Sequence, residues 1–379
     1  MISKKKVLVY GMTSNPGGIE SFIINNFKRF TVVRLDFINT QSLPLAYEDE
    51  IKDMGGKIRN LILPNWKKSP IKYQKVVNHF FKNASKEYDC IWFNVIDLVN
   101  ISLIKAAKDN GFKRIIVHSH NSKSMDNTLK GKINLIRHYW HKKQIQKYAT
   151  DFWSCSANAT KWLYPKSLWP RVVLINNAID YKKFKFNEQK RNLIRNNYRL
   201  NDNFVIGNIG RLQYQKNQAF LIDIFSCLLN YNPNSKLILI GQGPDFLKLK
   251  EKVKKLDLSK KIIFAGTQSD IPGWLSSFDI FILPSHFEGL SVVSMEAQAN
   301  GIPILASTGI LPKTSVLNDN VYFEKLSSSP DEWAKRILEI KQKGIRIGEK
   351  NIAYSFVKKN FYINEEAQKL EMRLYKKER

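Results

Sequence analysis

The chain has 379 residues, 43% of them apolar, and a formal net charge of +28 from 61 Lys and Arg against 33 Asp and Glu. That length exceeds one ordinary core and suits two domains of roughly 150–200 residues. Glycine and proline are not enriched, no tract is of low complexity, and no apolar run approaches the ~20 residues of a membrane helix, which argues against fibrous, disordered and membrane-spanning classes.

In chain order, residues 7–10 read as a buried first strand; the apolar run is too short for the core of a signal peptide. A loop over 13–18 and a helix over 19–28 follow. Strands are predicted at 32–37, 59–63, 90–93, 114–118, 151–155 and 172–175, with helices near 73–85, 99–110 and 132–148. The pattern then restarts, with strands at 204–209, 236–240, 262–265, 280–283 and 304–306 and helices at 217–229 and 244–254. Short apolar runs alternating with amphipathic stretches predict parallel sheets wrapped by helices, an α/β class. Residues 177–203 are charged and weakly patterned and read as a linker, whereas 331–379 are helical in pattern almost throughout.

The charge is uneven: residues 1–170 hold 28 Lys and Arg against 12 Asp and Glu. This implies an anionic partner, or a lysine-rich composition without a partner. Two stretches, 57–75 with Trp66 and 123–147 with Trp140, mix basic and aromatic residues. The second fits an amphipathic basic helix at an anionic membrane surface, or a solvated charged face. Cys90, Cys155 and Cys227 stand far apart, without a CxxC pair, which favours a reducing cytoplasm over disulfides or a zinc site.

Candidate chemistry gathers at strand ends. Gly210-Arg211-Leu212 and Lys216 close the strand at 204–209, where a guanidinium and an ammonium suit a diphosphate, or simply form a solvated loop. Gly241-Gln242-Gly243-Pro244 is a glycine turn that lets backbone approach a ligand, or a plain turn. Gly17-Gly18 opens a helix and offers amides to an anion, or makes a tight βα turn. His118-Ser119-His120 ends a strand; no third ligand supports a metal there, and His120 can donate a hydrogen bond to a substrate hydroxyl, or both histidines are satisfied within the fold. Glu288 and Glu296 flank the loop-to-helix step Gly289-Leu290-Ser291 and can hold two parts of one polyhydroxylated ligand. No Asp-x-Asp occurs, which disfavours a donor held through a carboxylate-bound divalent metal.

The order of these pieces, from Gly17-Gly18 through His120, Asn177-Ala178-Ile179-Asp180, Gly210-Arg211, Lys216 and Gly241-x-Gly243-Pro244 to Glu288-x7-Glu296 and Gly301-Ile302-Pro303, resembles the retaining glycosyltransferases of family 4, most of all those of capsular or exopolysaccharide assembly. The resemblance implies the GT-B fold, with two Rossmann-like doubly wound domains facing across a cleft. It implies an acceptor-binding domain over 1–176, a donor-binding domain over 177–360, and a C-terminal helix over 361–379 that crosses back to the first domain. It also implies roles. Arg211 and Lys216 would hold the donor diphosphate. Glu288, with Gly289, Leu290 and Ser291, would contact the donor sugar and phosphates, and Glu296 the ribose. Phe264 and Gly266 would line the base pocket, and Gly210, Gly241, Gly243 and Pro244 complete the donor site. Gly17 and Gly18 would bring amides to phosphates or acceptor, and His120 would approach the reacting centre.

The implied co-substrate is a nucleotide sugar, most often a UDP-sugar in this family, with no metal or other cofactor. The implied acceptor is a saccharide on a polyprenyl diphosphate, or another saccharide, used at the inner face of the cell membrane. Ala178 stands where the family usually has glycine, and Gly309-Ile310-Leu311-Pro312-Lys313 departs from its usual Gly-Gly-x-Pro-Glu turn. A catalytically inactive nucleotide-sugar-binding subunit and a GT-B sugar-nucleotide epimerase are the alternatives, separated from a transferase by a transfer assay. A nucleic-acid-binding protein would explain the charge but leaves the glutamates and glycine turns without a task, so no nucleic-acid partner is expected.

Overall fold

The computed structural model describes residues 4–124, 128–288 and 291–376. It divides into two compact units, Met1–Ala178 with Ile363–Arg379, and Ile179–Tyr362.

The first unit runs β1 (Lys5–Tyr10), α1 (Gly18–Phe27), β2 (Val33–Asn39), α2 (Glu48–Asp53), β3 (Ile58–Asn60), α3 (Pro70–Glu87), β4 (Cys90–Val95), α4 (Ser102–Asp109), β5 (Ile115–Ser119), α5 (Leu129–Gln144), β6 (Asp151–Ser154), α6 (Ala157–Leu163) and β7 (Val172–Leu174). Its seven strands lie in the order β3-β2-β1-β4-β5-β6-β7, and every neighbouring pair is parallel. Apolar runs such as Val7-Leu8-Val9 and Ile91-Trp92-Phe93 are buried because helices cover both faces of such a sheet.

The second unit contains α7 (Glu188–Asn197), β8 (Phe204–Ile209), α8 (Gln218–Tyr231), β9 (Ser235–Ile240), α9 (Phe246–Lys255), β10 (Ile262–Gly266), α10 (Ile271–Ser277), β11 (Ile280–Leu283), α11 (Val292–Asn300), β12 (Ile304–Ser307), β13 (Val321–Glu324), α12 (Pro330–Lys343) and α13 (Glu349–Lys358). Its six strands, also parallel, follow the order β10-β9-β8-β11-β12-β13. In each unit the winding reverses once, between β1 and β4 and between β8 and β11. Loops leaving the carboxyl ends of strands at such a reversal diverge and open a crevice for ligands.

Residues 177–203 are not a loose linker. They include α7, whose Arg191 and Arg195 both pair with Asp279, at 2.6 and 3.1 Å, and donate to carbonyls at the end of α10. The helical tail is three helices rather than one, and its last, α14 (Ile363–Tyr375), belongs to the first unit. There Leu370 and Leu374 enter the core beside Phe27 and Leu35. The buried Glu371 carboxylate accepts hydrogen bonds from the amides of Thr31, Val32 and Val33, at 2.5, 2.6 and 2.9 Å. Among the described residues no helix is long and apolar enough to cross a membrane.

Candidate active site

The second unit brings most of the predicted donor residues to its winding reversal. From the end of β8 the chain passes Gly210 and Arg211 into a short 3-10 turn, Tyr214–Lys216, and enters α8 through Asn217 in the left-handed region (φ 55°). The next strand end supports this loop from below. A Cβ on Gly241 would fall 2.1 Å from the Gly210 carbonyl oxygen, and one on Gly243 would fall 2.2 Å from that of Leu212. The two glycines therefore let one backbone lie directly on another. That gives Gly241-Gln242-Gly243-Pro244 a packing reason beside any ligand contact.

From β11 the chain runs through Pro284 to Glu288 and is laced to the first loop. The Asn217 side chain donates to the Pro284 carbonyl (3.1 Å), Gln215 donates to that of Phe287 (3.0 Å), and the Tyr214 and His286 rings stack 4.4 Å apart. Lys216 Nζ donates to Glu288 Oε1 at 2.7 Å, both side chains nearly buried. The ammonium and carboxylate that the sequence assigns to different parts of a donor are thus one ion pair. Arg211 is exposed, and its guanidinium has no partner among the described residues. Glu296 lies in α11, half-buried and without a donor among the described residues; burial pushes its carboxyl up to about 7. Ser291 caps α11, and its buried hydroxyl likewise lacks a partner there. Gly289 and Leu290 lie outside the described residues. Phe264 packs edge-on against Phe246, and Gly266 ends β10 at φ +67° with open space where a side chain would stand.

Residues 190–354 match the family model for glycosyl transferases group 1. The chain carries a glycosyl transferases group 1 domain. It is 29% identical over 345 residues to the glycosyltransferase-like protein EpsF of Bacillus subtilis (strain 168), covering 88% of this chain and 87% of that one. It is 28% identical over 199 residues, 51% of each chain, to the UDP-Gal:alpha-D-GlcNAc-diphosphoundecaprenol alpha-1,3-galactosyltransferase of Escherichia coli. Among solved structures, Anabaena HepE in complex with UDP and glucose aligns with a TM-score of 0.80 at 20% identity, over 98% of this chain and 99% of that one. That likeness identifies the fold as GT-B. The Lys216–Glu288 pair, Arg211 and Glu296 all fall inside the group 1 domain.

The departures from the family pattern now have physical reasons. Ala178 is buried and is not among the residues with positive φ, so glycine is not required there. In the group 1 domain the turn after Gly309 buries Ile310 and Leu311 in the core beside Leu283 and Ala306, so apolar anchors hold it.

The first unit collects His120, Gly17 and Gly18 at its own winding reversal, together with three residues that the sequence did not single out. Gly11, at φ +113°, lets β1 pass so close to Asn94 that a Cβ would fall 2.0 Å from the Asn94 carbonyl oxygen. His120 Nε2 lies 2.8 Å from Asn94 Oδ1. Burial pushes the His120 imidazole down to about 3, so it is neutral at pH 7; Nε2–H donates to Asn94 and Nδ1 is left as an acceptor. The sequence expected a donor, and this tautomer is the reverse. Gly17 is the N-cap of α1, and the helix start already holds a carboxylate of its own. Glu20 Oε1 accepts from the amide and hydroxyl of Thr13, both at 2.9 Å, and a Cβ on Gly17 would meet Glu20 Oε2 at 2.8 Å. An incoming anion there would share the helix start with Glu20. A polar residue inside an apolar strand (Asn94) and an acid in the first turn after a glycine pair (Glu20) were the available signals.

Proposed function

We propose that the chain transfers a sugar, with retention of configuration, from a UDP-sugar to a saccharide carried on a polyprenyl diphosphate, in capsular or exopolysaccharide assembly. The observation that carries this reading is the Lys216–Glu288 pair on the same loop as the exposed Arg211 at the winding reversal of a group 1 domain. The relatives support it. HepE was solved with UDP and glucose, and the Escherichia coli relative is named for a UDP-sugar, a diphosphoundecaprenol acceptor and an alpha linkage.

In this reading the second unit binds the donor and the first the acceptor. Arg211 and Lys216 neutralise the diphosphate as the bond from the anomeric carbon to its phosphate oxygen breaks. These cations supply the charge that a divalent metal would otherwise supply. Glu288, held by Lys216, accepts a hydroxyl of the sugar, so gripping the sugar and stabilising the leaving group are coupled through one ion pair. Glu296 accepts the ribose hydroxyls. The acceptor oxygen attacks from the face that the phosphate leaves, and its proton passes to the leaving phosphate oxygen. Retention needs no carboxylate nucleophile in this scheme. His120 presents Nδ1 as an acceptor to a saccharide hydroxyl. A polyprenyl acceptor places the enzyme at the cytoplasmic face of the cell membrane.

The test is transfer from a panel of UDP-sugars to polyprenyl-diphosphate-linked GlcNAc, with the product anomer read by NMR. Arg211→Ala, at an exposed position, should keep the fold and lower turnover by about 10²–10³-fold. Turnover within a few-fold of the parent removes Arg211 from the leaving-group site, and an inverted anomer removes same-face attack.

A further inference from the structure

Helix α5 is amphipathic in the opposite sense to an ordinary surface helix. Leu129, Ile133, Ile136 and Trp140 are 76, 57, 71 and 58% exposed. At 100° per residue they fall within about 60° of one another, a single ridge along the helix. The side facing the unit is mostly polar instead: its buried residues are Gly131, His138 and His141, with only the partly buried Leu135 packed against the core. His138 lies half a turn from the ridge axis. Its Nδ1 accepts from the Leu98 amide (3.0 Å), its Nε2 donates to the Trp162 carbonyl (3.1 Å), and its ring stacks on Trp162 at 3.9 Å. His141 Nδ1 donates to the Leu98 carbonyl at 2.6 Å. Three hydrogen bonds therefore fix the rotation of the helix, and with it the outward direction of the ridge. A helix free to roll would bury the isoleucines and expose the histidines; this one is locked the other way.

Both flanks of the ridge are basic. Lys130 and Arg137 project on one side, and Lys132 and Lys143 on the other, all exposed, and the helix contains no acid. Lys105 of α4 lies over the Trp140 ring at 5.8 Å. One helical turn before Lys105, the Ser102 hydroxyl meets that of Tyr73 on α3, and Trp66 and Ile71, before and at the start of α3, are exposed. Contacts thus link α5 through α4 to α3, all within the first unit.

We propose that α5 docks this unit on an anionic lipid bilayer, with Leu129, Ile133, Ile136 and Trp140 in the acyl boundary and the flanking cations among acidic headgroups. Charge selects this occupant. A second copy would set basic flanks against basic flanks with no acid on either helix, and a nucleic acid would meet an apolar ridge where it needs cations. The biological purpose rests on the lipid-linked acceptor proposed above, but the docking itself does not.

The test uses the full chain and vesicles of phosphatidylcholine with 30% phosphatidylglycerol, beside pure phosphatidylcholine. Co-sedimentation should require phosphatidylglycerol and weaken with salt, and brominated lipids should quench tryptophan emission in the parent markedly more than after Trp140→Phe. Removing Lys130, Lys132, Arg137 or Lys143 as Gln should each lower partitioning about fivefold. Ile133→Asp and Ile136→Asp should each lower it roughly tenfold or more. Unchanged melting and unchanged UDP-sugar hydrolysis will show that these exposed changes spare the fold and the donor site. Parent-like vesicle binding by Ile133→Asp/Ile136→Asp, no binding by the parent, or a parent dimer that these changes dissociate each overturns the proposal without touching the donor chemistry. Vesicle binding without transfer to any lipid-linked acceptor overturns the proposed reaction and leaves the docking surface standing.

Discussion

Glu296 gives the sharpest test because stability and binding should move in opposite directions. Burial raises its carboxyl from an ordinary value near 4.5 to about 7, and no donor among the described residues relieves it. In the folded chain the proton stays on up to about pH 7, whereas the unfolded chain releases it near 4.5. Between these values the folded state binds more protons, so this group's contribution to stability falls as pH rises through the window and is level above it. Fully realised, that difference is about 3 kcal/mol; with part of Glu296 in solvent, about 1–2 kcal/mol is expected. Glu296→Gln cannot ionise and escapes this loss. Calorimetry of the full chain should show it melting above the parent at pH 8 and equal to it near pH 4. Titrating histidines cancel in this comparison. UDP-glucose, whose diphosphate diester does not titrate in the window, should bind the parent about tenfold more weakly at pH 6 than at pH 8. Losing a charged acceptor should weaken binding by Glu296→Gln about 10–100-fold at pH 8. Equal melting of parent and variant at pH 8, or parent affinity that is flat from pH 6 to 8, would refute the argument.

Three further outcomes are expected. Gly241→Ala places a methyl 2.1 Å from the Gly210 oxygen at φ +129°, and thermal melting should show a loss of about 2–3 kcal/mol with donor binding lost alongside it; a neutral effect would mean that the two loops do not lie in contact. Asn94→Leu removes the acceptor that holds His120, so ¹⁵N NMR of the ring should change from a single Nε2–H tautomer to a mixture; a parent ring protonated at Nδ1 would contradict the assignment. Glu371→Ala leaves three amides at the start of β2 without their carboxylate and should destabilise the first unit by about 3 kcal/mol, read as a lower melting transition that UDP-glucose does not shift.

Much of the fold was legible because buried parallel strands are written as short apolar runs, as at Leu237-Ile238-Leu239-Ile240. Helix α7 was not. Its sequence carries little apolar stripe, and it is held by Arg191 and Arg195 reaching Asp279, a partner more than 80 residues away. β13, a short edge strand of Val-Tyr-Phe-Glu, offered too few residues to show a pattern. In the site, motif order located the loops but not their pairing. Lys216 meets Glu288 only because β8 and β11 are neighbours at the winding reversal, a fact of strand order that no local spacing records. Asn94 and Glu20 each read as an ordinary polar interruption, because the partners that give them a role are set by the fold.

Helix α14 has a consequence for synthesis. The core of the first unit includes Leu370 and Leu374, and the amides of Val32 and Val33 at the entry to β2 donate to Glu371. While a ribosome makes residues 179–362, the first unit therefore waits with one flank of its sheet uncovered. The second unit, though encoded later, has all its own strands and helices before residue 363 emerges and can close first. A stalled chain that ends before α14 would carry a finished second unit tethered to an open, aggregation-prone first one.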